Sequence, residues 1–431
     1  MQPRIVTDNL ALEGGSPEID VTPPPYNPFD EREVNAAVEV VRSGVLSKFL
    51  GAWHPDFFGG PKVQQFERDA ADFFGVKHVV TVNSWTSGLV AAVGAIGVEP
   101  GDEVIVPPWT MCASATAILH WNAIPVFADI DPRTFNLDPS SIERNVSART
   151  RAIMAVDIFG QSADMDAILS IARRHGLKVI SDTAQSPGAR YGGRYAGTLA
   201  DIGGFSLNYH KHFHTGEGGI LVTDDSRLAA RLQLLRNHAE AVVGPKGETD
   251  LVNMVGHNFR LGEIEAAIGI EQLRKLPGLV GARQRLAARL ASGLSGLRGL
   301  ELPFVSPKST HVYYIFPMVV DTRALGITRA RLLEALRAEG VPALTAGYQN
   351  VHLLPMYQRR IAFGRNGFPW TSEFCTRPVS YDKGICPVAE RLHDSDFIGF
   401  AICAHDFTEE YMDSVSRAFR KVWRALDRGF R

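Results

Sequence analysis

The segment Phe205-Ser-Leu-Asn-Tyr-His-Lys-His-Phe-His-Thr-Gly-Glu-Gly-Gly219 places one lysine, Lys211, in a polar and aromatic run closed by a glycine-rich turn. Its flanking segments read as buried, which argues against a solubilising charge. A lysine amine attacks an aldehyde only when neutral, so the site must lower its pKa. The chemistry that follows is a Schiff base with a cofactor aldehyde, after which the freed amine works as general acid and base. Such a cofactor needs a phosphate cradle, a carboxylate for a ring nitrogen and a flat contact for a ring face. A surface lysine is the alternative, but Gly216-Glu-Gly-Gly219 leading into an apolar strand points to a constrained backbone.

Asp182 ends the apolar run Lys178-Val-Ile-Ser-Asp182 and is followed by Thr183-Ala-Gln185. A carboxylate there is partly buried, which is costly unless a cation pairs with it. A protonated pyridine nitrogen is such a cation; a loop-capping aspartate is the alternative. Ser84-Trp85-Thr86 ends a strand and opens a helix. Unpartnered N–H groups at that end suit a phosphate, with the Ser84 and Thr86 hydroxyls as further donors. Plain N-capping explains the same residues. His210, His212 and His214 recur every second residue, which on an extended segment would put three imidazoles on one face. No acidic or cysteine partner has ligand spacing nearby, so no metal is expected. The histidines are read instead as hydrogen-bonding or substrate-facing groups.

The elements that must position these residues alternate in type. Helices are predicted at 61–74, 84–96, about 112–120 and 164–175, and strands at 79–82, 103–106, 125–129, 152–156 and 178–182. That alternation predicts an α/β fold with a mostly parallel sheet covered on both faces, binding ligands at the strands' carboxyl ends. Beyond about Leu276 the pattern loosens. A helix at 278–294, a strand at 312–320, a helix at 328–339, a short strand at 341–346, a last strand at 397–402 and a helix at 408–427 suit a smaller α+β unit. The stretch 347–395 between them reads as irregular. Asp30 is a candidate N-cap for a helix through Val41, and the proline- and glycine-rich residues before it read as an extended arm. The expected division is an arm at 1–30, a large domain at 31–276 and a small C-terminal domain at 277–431.

The totals fit this organisation. The chain has 431 residues, 45% of them hydrophobic and 21% charged, with net charge −2. Near-neutral charge leaves no footprint for nucleic acid or an anionic membrane. The four cysteines are scattered without CxxC spacing, and Met1-Gln-Pro-Arg-Ile-Val-Thr-Asp lacks the apolar core of a signal peptide. A reduced, cytoplasmic protein is expected.

Several ordered segments together resemble the DegT/DnrJ/EryC1/StrS family of sugar aminotransferases. They run from Leu10-Ala-Leu-Glu-Gly-Gly-Ser-Pro17 through Pro100-Gly-Asp-Glu-Val-Ile-Val-Pro107, Asp129-Ile-Asp-Pro132 and Ser181-Asp-Thr-Ala-Gln185. Ser206 to Gly219, and Gly256-His-Asn-Phe-Arg-Leu261 with Glu263-Ile-Glu-Ala-Ala267, complete the set. The resemblance implies a pyridoxal 5'-phosphate enzyme of aspartate-aminotransferase-like (fold type I) architecture, with pyridoxamine 5'-phosphate as the intermediate carrier. It implies Lys211 as the Schiff-base lysine, Asp182 as the pyridinium partner and Gln185 beside the ring. Ser84, Trp85, Thr86 and Ser206 match the phosphate cup. Asn258 matches a segment that reaches the neighbouring subunit's phosphate, which implies a homodimer with shared active sites. His210, His212, Arg260 and Tyr348 are the expected substrate-facing set.

Two departures from the family pattern stand out. Trp85 replaces the glycine of Ser-Gly-Thr, and its ring is expected to turn outward so that the backbone amide still faces the phosphate. Thr110 is followed by Met111 where an aromatic ring is usual, so the thioether is expected to cover the cofactor face. The implied reaction moves an amino group from glutamate or glutamine to a keto-sugar or keto-cyclitol. The opening Leu-Ala-Leu-x-Gly-Gly leans towards cyclitols. The alternatives are a pyridoxamine-dependent sugar dehydratase, in which histidine replaces the lysine, and a non-catalytic cofactor-binding regulator. The arginines at 359, 360, 365 and 377 either serve a phosphorylated substrate or belong to a solvated loop.

Overall fold

In the computed structural model, which describes residues 9–430, the apolar runs rich in valine and isoleucine form a seven-stranded sheet. Its first five strands are β1 (His78–Val82), β2 (Glu103–Val106), β3 (Ile124–Phe127), β4 (Thr150–Val156) and β5 (Lys178–Asp182). A small hairpin, β6 (Arg190–Tyr191) and β7 (Arg194–Tyr195), precedes β8 (Ile202–Ser206) and β9 (Gly219–Thr223). The order across the large sheet is β1-β9-β8-β5-β4-β2-β3. Only β9 runs antiparallel to its neighbours; the other pairings are parallel. Strands buried along almost their whole length need helices on both faces, which is why they read as continuous apolar runs rather than alternating ones.

Helices α1 (Glu31–Ser43), α2 (Pro61–Phe74), α3 (Trp85–Ala95) and α4 (Ala113–Leu119) begin where the sequence predicts, within two residues. Asp30 and Glu33 close a capping box on α1, satisfying two otherwise unpaired N–H groups. A second, antiparallel sheet follows, with β10 (Leu300–Glu301), β11 (Phe316–Val320), β12 (Leu344–Ala346) and β13 (Phe397–Phe400) in the order β10-β11-β13-β12. Its core includes Phe316, Met318, Phe400, Phe419 and Trp423.

Three differences from expectation have physical causes. The helix predicted at 278–294 is the second half of one 32-residue helix, Glu263–Leu294, which carries Pro277 within it. Tertiary packing overrides the break that Pro277 and Gly278 suggest. Ala266, Ile270 and Leu273 join the core under β8 and β9, and Leu286, Leu290 and Leu294 join the core of the second sheet. The boundary expected at 276/277 therefore lies inside a continuous helix.

The strand predicted at 312–320 starts only at Phe316. Residues before it leave the ladder to bind the Phe159–Gly160 turn, through Val312 N–H to the Gly160 carbonyl (2.8 Å) and Ile315 N–H to that of Phe159 (3.2 Å). Gly160 has φ +123°, and a Cβ there would stand 2.5 Å from the Tyr313 nitrogen, so only glycine allows the crossing.

The described part of the arm is extended but docked. Leu10 and Ile19 are buried in the second core. The buried Glu339 carboxylate accepts from Ala11 N–H (2.8 Å) and Glu18 N–H (3.0 Å) and pairs with Lys421 (2.8 Å). Segment 357–385 folds back on the large sheet. There Arg377 makes two 2.7 Å bonds to buried Glu103 at the amino end of β2, away from the edge that binds ligands. Arg360 donates to the Val379 carbonyl at 2.9 Å.

Candidate active site

Sheet geometry brings the proposed residues to one edge. Val82 at the end of β1 pairs with Gly219 at the start of β9, and Gly219 pairs with Ser206 at the end of β8. Asp182 ends β5, next to β8. Ser84, two residues past β1, caps α3, its hydroxyl accepting from Ser87 N–H at 3.1 Å. The N–H groups of Trp85 and Thr86 find no acceptor among the described residues. A Cβ on Gly219 would lie 3.0 Å from the Trp85 nitrogen and Cα, so glycine lets β9 run close under this helix end. The result is an open set of donors with the helix dipole behind it. Ser206 is buried beside it.

Lys211 sits on the loop 207–218, which returns directly from β8 to β9. The loop is pinned at its base by Leu207 N–H to Gly218 O (3.0 Å) and Thr215 N–H to Leu207 O (3.0 Å). The Lys211 side chain is 6% exposed, and Nζ lies 4.5 Å over the Tyr314 ring. It makes no hydrogen bond or ion pair among the described residues. Burial pulls its pKa down to about 8, against the opposing pull of the Asp182 charge.

The neutral fraction of Lys211 should therefore rise about ten-fold per pH unit up to about pH 8 and level off above it. Borohydride trapping of pyridoxal 5'-phosphate on the apo-protein, mapped at the Lys211 peptide over a pH series, measures this. A rise that continued to about pH 10 would mark an ordinary lysine.

Asp182 is buried and held on both oxygens. Trp85 Nε1 donates to Oδ1 at 2.7 Å, Ala184 N–H to the same oxygen at 3.2 Å, and Ser114 Oγ to Oδ2 at 2.7 Å. Ser114 is in turn 2.6 Å from the Thr110 hydroxyl. The outward turn expected of Trp85 does not occur. The ring is 6% exposed and folds inward beneath Asp182, because Gly88 and Gly204 leave it room and the carboxylate offers its N–H a partner.

Gln185 accepts from Phe159 N–H at 2.9 Å and donates to the Tyr348 hydroxyl at 3.1 Å, which brings a residue of the C-terminal region to this edge. Trp109 is fully buried, with Nε1 on Asn350 Oδ1 at 2.8 Å, while Met111 is 60% exposed. Asn258 is exposed beside the cup; its carbonyl accepts from Asn83 Nδ2 at 3.4 Å and its Oδ1 from Arg260 Nε at 2.8 Å. Arg260 thus orients Asn258.

The three histidines do not share a face, because residues 209–213 form turns and bends rather than a strand. His210 is exposed. His212 is fully buried, with Nε2 2.7 Å from the Val312 carbonyl, and its own carbonyl accepts the Tyr26 hydroxyl at 2.6 Å. His214 packs on Phe29 with ring centroids 4.6 Å apart. His212 is therefore a packing residue that ties the arm to the lysine loop, not a substrate-facing group. Among the described residues no cluster of three His, Cys, Asp or Glu could hold a metal ion.

Sequence reasoning missed Ser114, Tyr314 and Asp157. Asp157 follows β4 as Asp182 ends β5, a parallel that could have marked it. Fully buried, it has its pKa pushed up to about 6 by desolvation. It accepts from Ala163 N–H (2.8 Å) and the Thr183 hydroxyl (2.7 Å), fixing the turn that carries Gln185. A buried amine without a partner, a carboxylate with fixed donors and an open helix end fit a phosphorylated pyridine aldehyde.

Among the described residues no helix is long and apolar enough to cross a membrane. The chain is 35% identical over 434 residues to L-glutamine:2-deoxy-scyllo-inosose aminotransferase of Streptoalloteichus tenebrarius, covering 96% of this chain and 98% of that one. It is 37% identical over 299 residues to dTDP-3-amino-3,4,6-trideoxy-alpha-D-glucose transaminase of Streptomyces venezuelae, covering 69% and 76%. The crystal structure of an aminotransferase from Psychrobacter cryohalolentis superposes with a TM-score of 0.80 at 27% identity, covering 94% of this chain and all of that one. The sequence profile of the DegT/DnrJ/EryC1/StrS aminotransferases matches residues 49–386, and with this fold and this edge of the sheet the chain belongs to that family.

Proposed function

We propose that the protein is a pyridoxal 5'-phosphate-dependent aminotransferase that passes an amino group from glutamine or glutamate to the ketone of a free cyclitol. The observation that carries the pyridoxal reading is Lys211, a buried amine with a lowered pKa and no hydrogen-bond or ion-pair partner. The cyclitol reading is supported by the scyllo-inosose relative, which aligns over nearly the whole of both chains. Arg377 and Arg360, two candidate cations for a phosphorylated substrate, are engaged by Glu103 and the Val379 carbonyl.

When bound, the pyridoxal group would supply an aldehyde for the amine and a sink for the electrons of the broken C–H bond. Lys211 Nζ would hold the group and, once released, carry the proton between its two carbon sites. Asp182 would face the ring nitrogen. The Trp85 and Thr86 N–H groups with the Ser84 and Ser206 hydroxyls would hold the phosphate, Gln185 would lie beside the ring, and Met111 would cover its open face. Lysine in place of histidine at 211 separates this reading from a dehydratase.

A homodimer with shared sites belongs to the same proposal. Val34, Val38 and Val41 form an exposed stripe on α1, continued by Val45 and Leu46. This patch adjoins the Asn258 segment, since Glu263 N–H donates to the Leu46 carbonyl at 3.0 Å. Such an apolar surface suits a second copy of the chain, and Asn258 would then reach that copy's phosphate.

The test is a half-reaction. Enzyme in the pyridoxamine form is mixed with keto-cyclitols such as scyllo-inosose and, separately, with nucleotide-linked keto-sugars. Recovery of the pyridoxal absorption with a cyclitol is the expected result. Recovery with nucleotide sugars alone would overturn the cyclitol assignment, and absence of any bound pyridoxal would overturn the whole reading.

A further inference from the structure

The indole of Trp85 occupies a slot built for it. A Cβ on Gly88 would stand 2.8 Å from Cε3; one on Gly204 would stand 2.4 Å from Cζ3 and Cη2 and 2.2 Å from the Ile220 carbonyl oxygen, so both the indole and β9 exclude a side chain there. Any side chain at either position would displace the ring. Residue 88 lies in the first turn of α3 and residue 204 in β8, so glycines on two separate elements border the one indole. Glycine inside a helix costs about 1 kcal/mol relative to alanine. Glycine inside a strand also weakens it.

The slot aims one atom. Trp85 Nε1 is 2.7 Å from Asp182 Oδ1, while the rest of the ring is apolar and buried. A hydrogen bond to a charged acceptor is shorter and stronger than a neutral one, and its strength depends on direction. Ser114 holds the other oxygen at 2.7 Å, so the carboxylate plane is fixed from two sides. The hydroxyl of Ser114 can rotate, whereas the indole N–H is set by a ring wedged between glycines. Trp85 is therefore the rigid member of the pair.

We propose that Trp85, with Gly88 and Gly204, is a positioning unit that sets the orientation of the Asp182 carboxylate towards the cofactor's ring nitrogen. This rests on the pyridoxal reading given above. Trp85 then acts twice through different atoms: its backbone N–H belongs to the phosphate cup, and its side chain sets the far end of the same group. The distance between the two ends is thereby built into one residue.

Trp85→Phe keeps the ring in the slot and removes only the donor. Gly88→Ala keeps the donor and pushes the ring. For both variants we expect the Kd for pyridoxal 5'-phosphate, measured by equilibrium dialysis, to rise about ten-fold. The visible circular dichroism of the bound cofactor, which reports how its ring is held, should fall in amplitude. Melting of the apo-protein should change little in Gly88→Ala, where better helix propensity offsets the displacement. Wild-type affinity and dichroism in both variants would overturn the proposal. Weaker binding with wild-type dichroism and a lower apo melting temperature would assign Trp85 a packing role and overturn it too. If Trp85→Phe does not fold, Gly88→Ala decides by the same readings. Wild-type protein that binds no pyridoxal 5'-phosphate would instead overturn the proposed function.

Discussion

Replacing Lys211 by alanine should lower transamination by at least about 10⁴-fold, because in the proposed function one side chain would both capture the aldehyde and carry the proton. Borohydride should fix the cofactor covalently on the Lys211 peptide of the wild type and on no peptide of Lys211→Ala; a stable adduct on another lysine in the wild type would sink the assignment. The variant should still fold, since Nζ makes no hydrogen bond or ion pair among the described residues. Its stability should differ in pH dependence. The folded-state pKa of about 8 lies below the ordinary 10.5, so the unfolded chain holds the extra proton between those values. Wild-type apo-protein therefore gains stability as pH rises through that window, and Lys211→Ala lacks the gain. Calorimetric melting of both proteins at about pH 7.5 and 10 measures the difference.

The second large effect is expected at Asp182, where alanine and asparagine should separate two roles. Asp182→Ala removes the acceptor of Trp85, Ser114 and Ala184 together. Each buried donor left unsatisfied costs about 1–3 kcal/mol, so the apo-protein should melt several degrees lower. Asp182→Asn keeps an oxygen for Trp85 and should melt near the wild type. Both variants lose the negative charge proposed to face the ring nitrogen, and turnover should fall by at least about 10²-fold in each, as for other electrostatic partners of a developing charge. Steady-state kinetics beside thermal melts would check this. Asparagine with wild-type turnover would show that no cation faces residue 182.

Much of this site was legible because its parts sit at the ends of strands. Asp182, Ser206 and Ser84 each mark the point where an apolar run stops, and parallel sheets gather such points on one edge. Lys211 was legible from its glycine-flanked loop. What was not legible depended on side-chain direction. The sequence shows a tryptophan at 85 and glycines at 88 and 204, but only packing reveals that the indole lies against both glycines. The histidine alternation misled because it assumed an extended segment, whereas the loop turns at Asn208 and buries His212 and His214 against the arm and the long helix. Of the 263–294 helix only 278–294 was expected; Pro277 lies within it, and burial on two cores carries the helix through. The 357–385 segment gave no sequence clue to Glu103, a pairing 274 residues apart in the chain.

The place of β9 in the sheet bears on how the chain is made. β1 is among the first strands to leave the ribosome, yet in the sheet it pairs with β9 alone. About 140 residues separate the end of β1 from the end of β9. At roughly 5–20 residues per second, β1 would wait about 7–30 s for its partner. During that time His78-Val-Val-Thr-Val82 is an unpaired apolar edge of the kind that invites aggregation. The same strand that completes the sheet also joins the helix end at Ser84 to the Lys211 loop, so the proposed cofactor site and the protection of β1 arrive in a single step near the midpoint of synthesis.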